Sequence, residues 1–183
     1  MEIEETFLKG VFILKPKVWR DNRGYFFESF RADRFAELGI EAQFLQDNES
    51  LSVSRGVLRG LHFQNPPVAQ AKLVRVIKGA VLDVAVDIRA GSPTYGRSLQ
   101  HVLSEENKEM LYIPKGFAHG FVTLEVHTIF SYKCSDYYRT DAERGIMWND
   151  PDLGIDWKCD APILSDKDRK NIAFKDFISP FQL

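Results

Sequence analysis

Short apolar runs broken by turn residues fill the middle of this chain. Residues 24–30, 56–64, 71–78, 80–88, 97–103, 109–113, 119–124 and 126–133 each have the length and composition of a strand. Between Leu82 and Ile88 the even positions are aliphatic, and Asp83 and Asp87 occupy two of the odd ones. Such alternation predicts a strand with one buried face and its acids on the other. Lys78-Gly79 and Ala90-Gly91-Ser92-Pro93 supply the turn chemistry between runs. Helical spacing is confined to about 31–39, ending at Gly39, and to a weaker stretch near 165–171. Many short strands at regular spacing predict an all-β antiparallel sandwich or barrel, whose interior or mouth can gather polar groups.

Composition narrows the setting. The 183 residues show no compositional break, internal repeat or linker, so a single domain over 1–183 is expected. Hydrophobic content of 44% with 27% charged residues is that of a soluble globular chain. Aromatics reach 13%, with 14 Phe among them, which favours strands over helices. A net charge of −2 gives no electrostatic case for nucleic acid or an anionic membrane. An anionic ligand would have to be drawn by a local cluster. Cys134 and Cys159 are too few for a disulfide framework, and Met1–Thr6 has no apolar signal-like core. No apolar run approaches a membrane span. The expected setting is a reducing cytoplasm.

The candidate chemistry centres on Arg59-Gly60-Leu61-His62-Phe63-Gln64, which follows the polar string Gln46-Asp47-Asn48-Glu49-Ser50. Burying an imidazole and a guanidinium in a strand costs roughly several kcal/mol unless partners are supplied. A concave site that abstracts a proton and grips an anion has a use for both. His119, in Pro114-Lys115-Gly116-Phe117-Ala118-His119-Gly120-Phe121, sits in another apolar run. His101 and His127 read as surface or sheet histidines. For His62 or His119 alone, a hydrogen-bonded core histidine is the plainer account; with Lys72, Arg59, Tyr132 and Asp168 also available, a shared site is the better one. One conflict stands out: in an unbroken strand Arg59 and His62 point to opposite faces. A bulge at Gly60, a place for Arg59 at the barrel rim, or service to another subunit or the outer sheet would each resolve it.

A metal is weighed first. Pro114-x-Gly116-x-x-His119 looks like half of the two-part cupin metal motif, but the His-x-His half is missing, since no histidine lies between His62 and His101. A cupin shape without metal is expected, and a metal-dependent oxygenase is disfavoured.

Longer motifs carry a more specific resemblance. Asp21-x-Arg23-Gly24-x-Phe26-x-Glu28, QDNESLSVSRGVLRGLHFQ, PKGFAHGF, and Ser131 to Tyr138 are followed by Asp141 to Ile146, Trp148-Asn149-Asp150-Pro151 and Leu164-Ser165-x-Lys167-Asp168. Over nearly its full length the chain resembles the dTDP-4-dehydrorhamnose 3,5-epimerase family. That resemblance implies a cupin-like jelly roll, a homodimer, no cofactor and no metal. It also implies a dTDP-4-keto-6-deoxy sugar as substrate, inverted at C3 and C5 through enolates.

Such chemistry needs a base on one face of the sugar, an acid on the other and a positive charge near O4. By the resemblance His62 is the base, since an imidazole ordinarily ionises near neutrality, and Asp168 sets its tautomer. Lys72 faces the enolate oxygen, Tyr132 delivers a proton from the opposite face, and His119 binds near the sugar. Arg59 and Arg23, with Lys167, match the diphosphate positions. Gln46, Asn48 and Glu28, with Phe26 or Tyr138, match the thymine end, and Glu143 matches a further ligand position. The apolar N-terminal stretch of about 3–14 is expected to add to the partner's sheet. The rival readings are an epimerase of one carbon, a ketoisomerase of another dTDP-deoxysugar route, and a noncatalytic sugar-binding cupin. The last has no need of base, orienting acid and opposed tyrosine together.

Overall fold

The computed structural model describes residues 1–40 and 43–183. In chain order the strands are β1 (Glu2–Glu5), β2 (Phe12–Lys15), β3 (Trp19–Asp21), β4 (Gly24–Phe26), β5 (Gln46–Ser52), β6 (Leu58–Gln64), β7 (Lys72–Lys78) and β8 (Ala80–Asp87). They continue as β9 (Arg89–Ala90), β10 (Ser98–Ser104), β11 (Met110–Ile113), β12 (Phe117–Thr123), β13 (Thr128–Cys134), β14 (Glu143–Gly145) and β15 (Phe181–Gln182). One short helix, α1 (Ala32–Glu37), precedes β5, and a 3-10 turn covers Asp168–Lys170. Among the described residues no helix is long and apolar enough to cross a membrane.

Two antiparallel sheets make the sandwich. The order β1-β2-β11-β7-β13-β5 forms the larger and β10-β8-β12-β6-β14 the smaller. Between them pack Val74 and Val76 of β7, Val81 and Ala85 of β8, Phe117 and Phe121 of β12, with Phe130 of β13. The smaller sheet is also covered on its outer face. Leu82, Val84 and Val86 pack there with Leu58, Phe63, Trp157 and Phe181. The larger sheet's outer face receives α1 through Phe35, with Ile40 beyond the helix, against Leu73, Met110 and Leu14.

This double covering corrects the reading of β8. Its alternation is real, but both faces are buried, and every residue from Ala80 to Asp87 is inside. The odd positions share the face between the sheets, so Asp83 and Asp87 are wholly buried instead of facing solvent. The C-terminal stretch carrying Trp157 and Phe181 covers the even face, a tertiary effect that local period cannot reveal. The expected arm is corrected as well. β2 pairs with the chain's own β11, and β1 with β2, so residues 12–15 belong to their own sheet and not the partner's. The run 24–30 is strand only to Phe26. Phe30 instead meets Phe35 and Phe44 edge-on, at 4.9 and 5.3 Å between centroids. The polar string at 46–50 is β5, an edge strand whose residues alternate between half-buried and exposed.

Asp87 closes the end of β8. It accepts hydrogen bonds from the Arg89 backbone N–H and guanidinium, and from Ser92 Oγ (2.6 Å) and Thr94 Oγ1 (2.7 Å). Burial alone would push this carboxyl up, but these bonds outweigh it and bring the pKa down to about 2. Because the folded value lies below the ordinary 3.8, the stabilisation is complete above that pH and is lost as pH falls toward 2. Asp87→Asn is expected to cost about 2 kcal/mol at pH 7. In urea melts the gap between variant and parent should narrow as the pH is lowered through the range 4 to 2; a gap independent of pH would contradict the assignment.

Candidate active site

A cavity of about 400 Å³ opens between the sheets, lined by Arg59, His62, Lys72, His119, Tyr132 and Asp168 among others. The smaller sheet contributes both histidines, which face each other as Cα partners across β6 and β12. The larger sheet contributes Lys72 from β7 and Tyr132 from β13, with the ammonium 6.0 Å from the ring centroid.

The parity conflict is settled by a bulge. Ladder partners run from His119↔His62 to Phe121↔Arg59, so β6 takes three steps where β12 takes two. The extra residue turns Arg59 to the same side as His62. Gly60 permits it, with φ of +146°, and a Cβ there would lie 2.6 Å from Gly120 Cα. Glycine is needed on both strands for that approach.

His62 Nε2 lies 2.5 Å from Asp168 Oδ1, and Ser165 Oγ donates to the other carboxylate oxygen at 2.8 Å. Burial pushes Asp168 up, but the His62 hydrogen bond and charge offset this and hold it below the usual carboxylate range. An ionised carboxylate only accepts, so Nε2 carries a proton and Nδ1 is left free to act as a base. His119 forms a second such pair, its Nε2 lying 3.0 Å from both oxygens of the buried Asp83. Burial lowers the His119 pKa and Asp83 partly opposes it. Burial likewise lowers Lys72 and raises Tyr132, keeping the phenol protonated.

A second cleft of about 300 Å³ shares His62, Lys72 and Tyr132 and is walled by Gln46, Asn48 and Tyr138. Gln46 Nε2 donates to Asn48 Oδ1 at 3.0 Å, and its carbonyl accepts from the Tyr138 N–H at 2.8 Å. Tyr138 Oη donates to Glu143 at 2.5 Å, and Lys167 forms an ion pair with the same carboxylate. Burial raises the Glu143 pKa, but these partners hold it below its ordinary value.

Three expected site residues lie elsewhere. Arg23 and Phe26 belong to the β3–β4 hairpin, a separate two-stranded sheet, and Glu28 follows it. Phe26 is 67% exposed. Arg23 is bound to Asp21 at 2.6 Å, and Glu28 is 3.5 Å from Arg31. None of the three lines the cavity of His62. His101 pairs with Glu109 at 2.7 Å, and His127 occupies a turn with positive φ, both away from the cavity. Residue-by-residue reading missed Asp83, Ser165 and the aromatic walls Phe121 and Phe130. An aspartate in the middle of an aliphatic run was the one available signal for Asp83.

Among the described residues no group of three or more His, Cys, Asp or Glu is arranged to hold a metal ion. Across this cupin-like sandwich a carboxylate-backed histidine on one sheet faces a tyrosine and a lysine on the other. The model of the dTDP-4-dehydrorhamnose 3,5-epimerase family matches residues 5–176. The chain is 52% identical over 168 residues to a dTDP-4-dehydrorhamnose 3,5-epimerase of Methanothermobacter thermautotrophicus, covering 90% of each. It superposes with a TM-score of 0.93 on the Bacillus anthracis dTDP-4-dehydrorhamnose 3,5-epimerase with TDP and pyrophosphate bound, at 45% identity, covering 94% of this chain and 99% of that one. A Legionella pneumophila dTDP-6-deoxy-D-glucose-3,5-epimerase in complex with dTDP-4-keto-L-rhamnose matches equally, at TM-score 0.93 and 47% identity, covering 97% of this chain and 94% of that one. The chain belongs to the dTDP-4-dehydrorhamnose 3,5-epimerase family.

The bulge gives a direct test of the site's construction. Gly60→Ala is expected to lower stability by about 2 kcal/mol or more, because the new methyl meets Gly120 at a positive φ. Turnover should fall roughly tenfold or more as Arg59 and His62 lose their common face. Urea midpoints and initial rates check both, and parental values in each would contradict the role given to Gly60.

Proposed function

We propose that His62 and Tyr132, presented from opposite sheets, serve as base and acid on the two faces of a 4-keto sugar. The activity follows from the family: 3,5-epimerisation of dTDP-4-dehydro-6-deoxy-D-glucose to dTDP-4-dehydro-L-rhamnose, in dTDP-L-rhamnose synthesis. C3 and C5 both flank the ketone, so removal of either proton gives an enolate with its charge on O4. Nδ1 of His62 takes the proton, and Asp168 steadies the imidazolium that forms. The Lys72 ammonium faces the oxyanion as a preorganised charge. Tyr132, neutral because burial raises its pKa, returns a proton to the opposite face. One observation carries this reading: the carboxylate-backed histidine and the buried phenol line one cavity from facing sheets. No metal or cofactor is required, because Lys72 supplies the charge that a Lewis acid would.

The nucleotide end is assigned by the same logic. Arg59 and Lys167 serve the diphosphate, His119 the sugar, and Gln46, Asn48, Tyr138 and Glu143 the thymine side. We place Arg23, Phe26 and Glu28 in the cavity of a second copy, in a homodimer. The hairpin carrying the first two leaves Trp19, Tyr25 and Phe26 exposed, an aromatic surface suited to stack on a base or pack on a subunit. The chain acts as one domain over 1–183. Two free thiols, Cys134 and Cys159, support a cytoplasmic setting.

Incubation with substrate in deuterated water separates the two catalytic roles. His62→Ala should abolish exchange at C3 and C5 while nucleotide binding persists, since the base acts only in the transition state. Tyr132→Phe should still exchange, yet return sugar not inverted at one carbon, C5 being the expected one. Full double inversion at the parental rate by Tyr132→Phe would leave Tyr132 a mere wall of the cavity. For the shared site, inactive His62→Ala and Arg23→Ala proteins are mixed, unfolded and refolded together. Mixed dimers should regain activity, because one of their two cavities has every group intact; persistent inactivity contradicts sharing.

A further inference from the structure

We propose that Asp83 is a positioning residue and the resident counter-anion of the cavity, fixing the ring of His119 and keeping Lys72 as an ammonium. The functional consequence rests on the role of Lys72 proposed above; the electrostatic claim does not.

Asp83 sits in the middle of β8, on the face between the sheets, with no solvent exposure. Its neighbours on that face are Val81 and Ala85, which offer nothing to a carboxylate. Among the described residues, its side chain's hydrogen-bond partner is His119 Nε2, at 3.0 Å from each oxygen. A donor centred between two carboxylate oxygens holds the ring's orientation and tautomer, so Nε2 is protonated and Nδ1 is the acceptor. A buried carboxylate satisfied by one imidazole is costly, and a nearby cation lowers that cost.

Lys72 is that cation. Its ammonium has no ion pair within bonding distance among the described residues, and burial pulls its pKa down. The groups around it are Tyr132 and Cys134 from β13, His62 from β6, His119 from β12, Glu143 from β14 and Asp168 from the 3-10 turn, besides Asp83 and Arg59. Three of these can carry negative charge that favours the ammonium: Cys134, Asp83 and Glu143. Burial pushes the Cys134 thiol up, so it is neutral near pH 7 and offers no charge. Glu143 already holds Lys167 and Tyr138. Asp168, which lines the same cavity, is committed to His62 and Ser165. Asp83 is the remaining anion, buried against His119. Its carboxylate therefore serves two cationic neighbours, one by hydrogen bond and one through space.

The test reads Lys72 directly, in free enzyme without turnover. Reductive methylation of Lys72 is followed against pH by mass spectrometry in the parent, Asp83→Asn and Glu143→Gln. The midpoint should fall by about one pH unit, a tenfold change in ionisation, in Asp83→Asn, and far less in Glu143→Gln. An unchanged midpoint in Asp83→Asn, or an equal fall in both variants, overturns the proposal. Nitrogen-15 NMR of parental His119 must show Nε2 protonated. An Nδ1–H tautomer overturns the positioning role, and this measurement stands even if Asp83→Asn does not fold. Loss of Lys72's catalytic role would leave the midpoint shift in place, so the two claims fail separately.

Discussion

Removing charged groups from water into a hydrophobic sandwich costs several kcal/mol for each ion unless an opposite charge or a full set of hydrogen bonds replaces the solvent. This molecule gathers Lys72, His62, His119, Asp83 and Asp168 around one cavity, with Arg59 more exposed beside them, so their mutual pairing governs much else. His62 needs Asp168, which lies far along the chain and reaches β6 only because the C-terminal part folds back over the smaller sheet. The same segment supplies Trp157 and Phe181 to the outer apolar layer. One piece of chain thus buries β8 on its second face and delivers the carboxylate that makes the histidine useful. Packing and chemistry here are not separable.

The bulge in β6 obeys the same constraint. A regular strand would have sent Arg59 into the outer apolar layer with Leu61 and Phe63. One extra residue rotates the guanidinium back to the polar side without disturbing His62 opposite His119. The close contact of Gly60 with Gly120 is the local condition for it, and glycine satisfies that condition on both strands.

Much of this was legible in the sequence, and the failures have physical causes. The strands from 56 to 113 and the helix near 31–39 stand close to their predicted places, because short apolar runs with turn punctuation leave little else to form. β5 was hidden because an edge strand lining a polar cleft has no apolar stripe to show. Asp83 was misplaced because alternation cannot tell which face is core when both are covered. The N-terminal stretch was expected in a partner's sheet, since apolar residues say that they are buried but not by which sheet. The pairing of His62 with Asp168 came from family resemblance, and no local pattern could have linked residues so far apart. Arg23, Phe26 and Glu28 were named by motif, and one copy of the chain does not bring them to the cavity.

A catalyst that only exchanges a proton needs one base, whereas an epimerase must return the proton from the other side. Two groups on the same strand cannot do this, since both would approach one face of the ring. A sandwich solves the problem through its architecture: residues on the inner faces of two sheets look at each other across a gap about 10 Å deep, close to the thickness of a sugar plus its contacts. His62 and Tyr132 lie on opposite walls of that gap. Each wall is held by its own backbone ladder, so the distance between the proposed base and acid is set by sheet packing and not by flexible loops. In the roles proposed above, selectivity for inversion over simple exchange depends on keeping the phenol neutral and the lysine charged at the same pH. Burial favours the first and opposes the second. The proposed role of the buried Asp83 is to let both states coexist in one cavity.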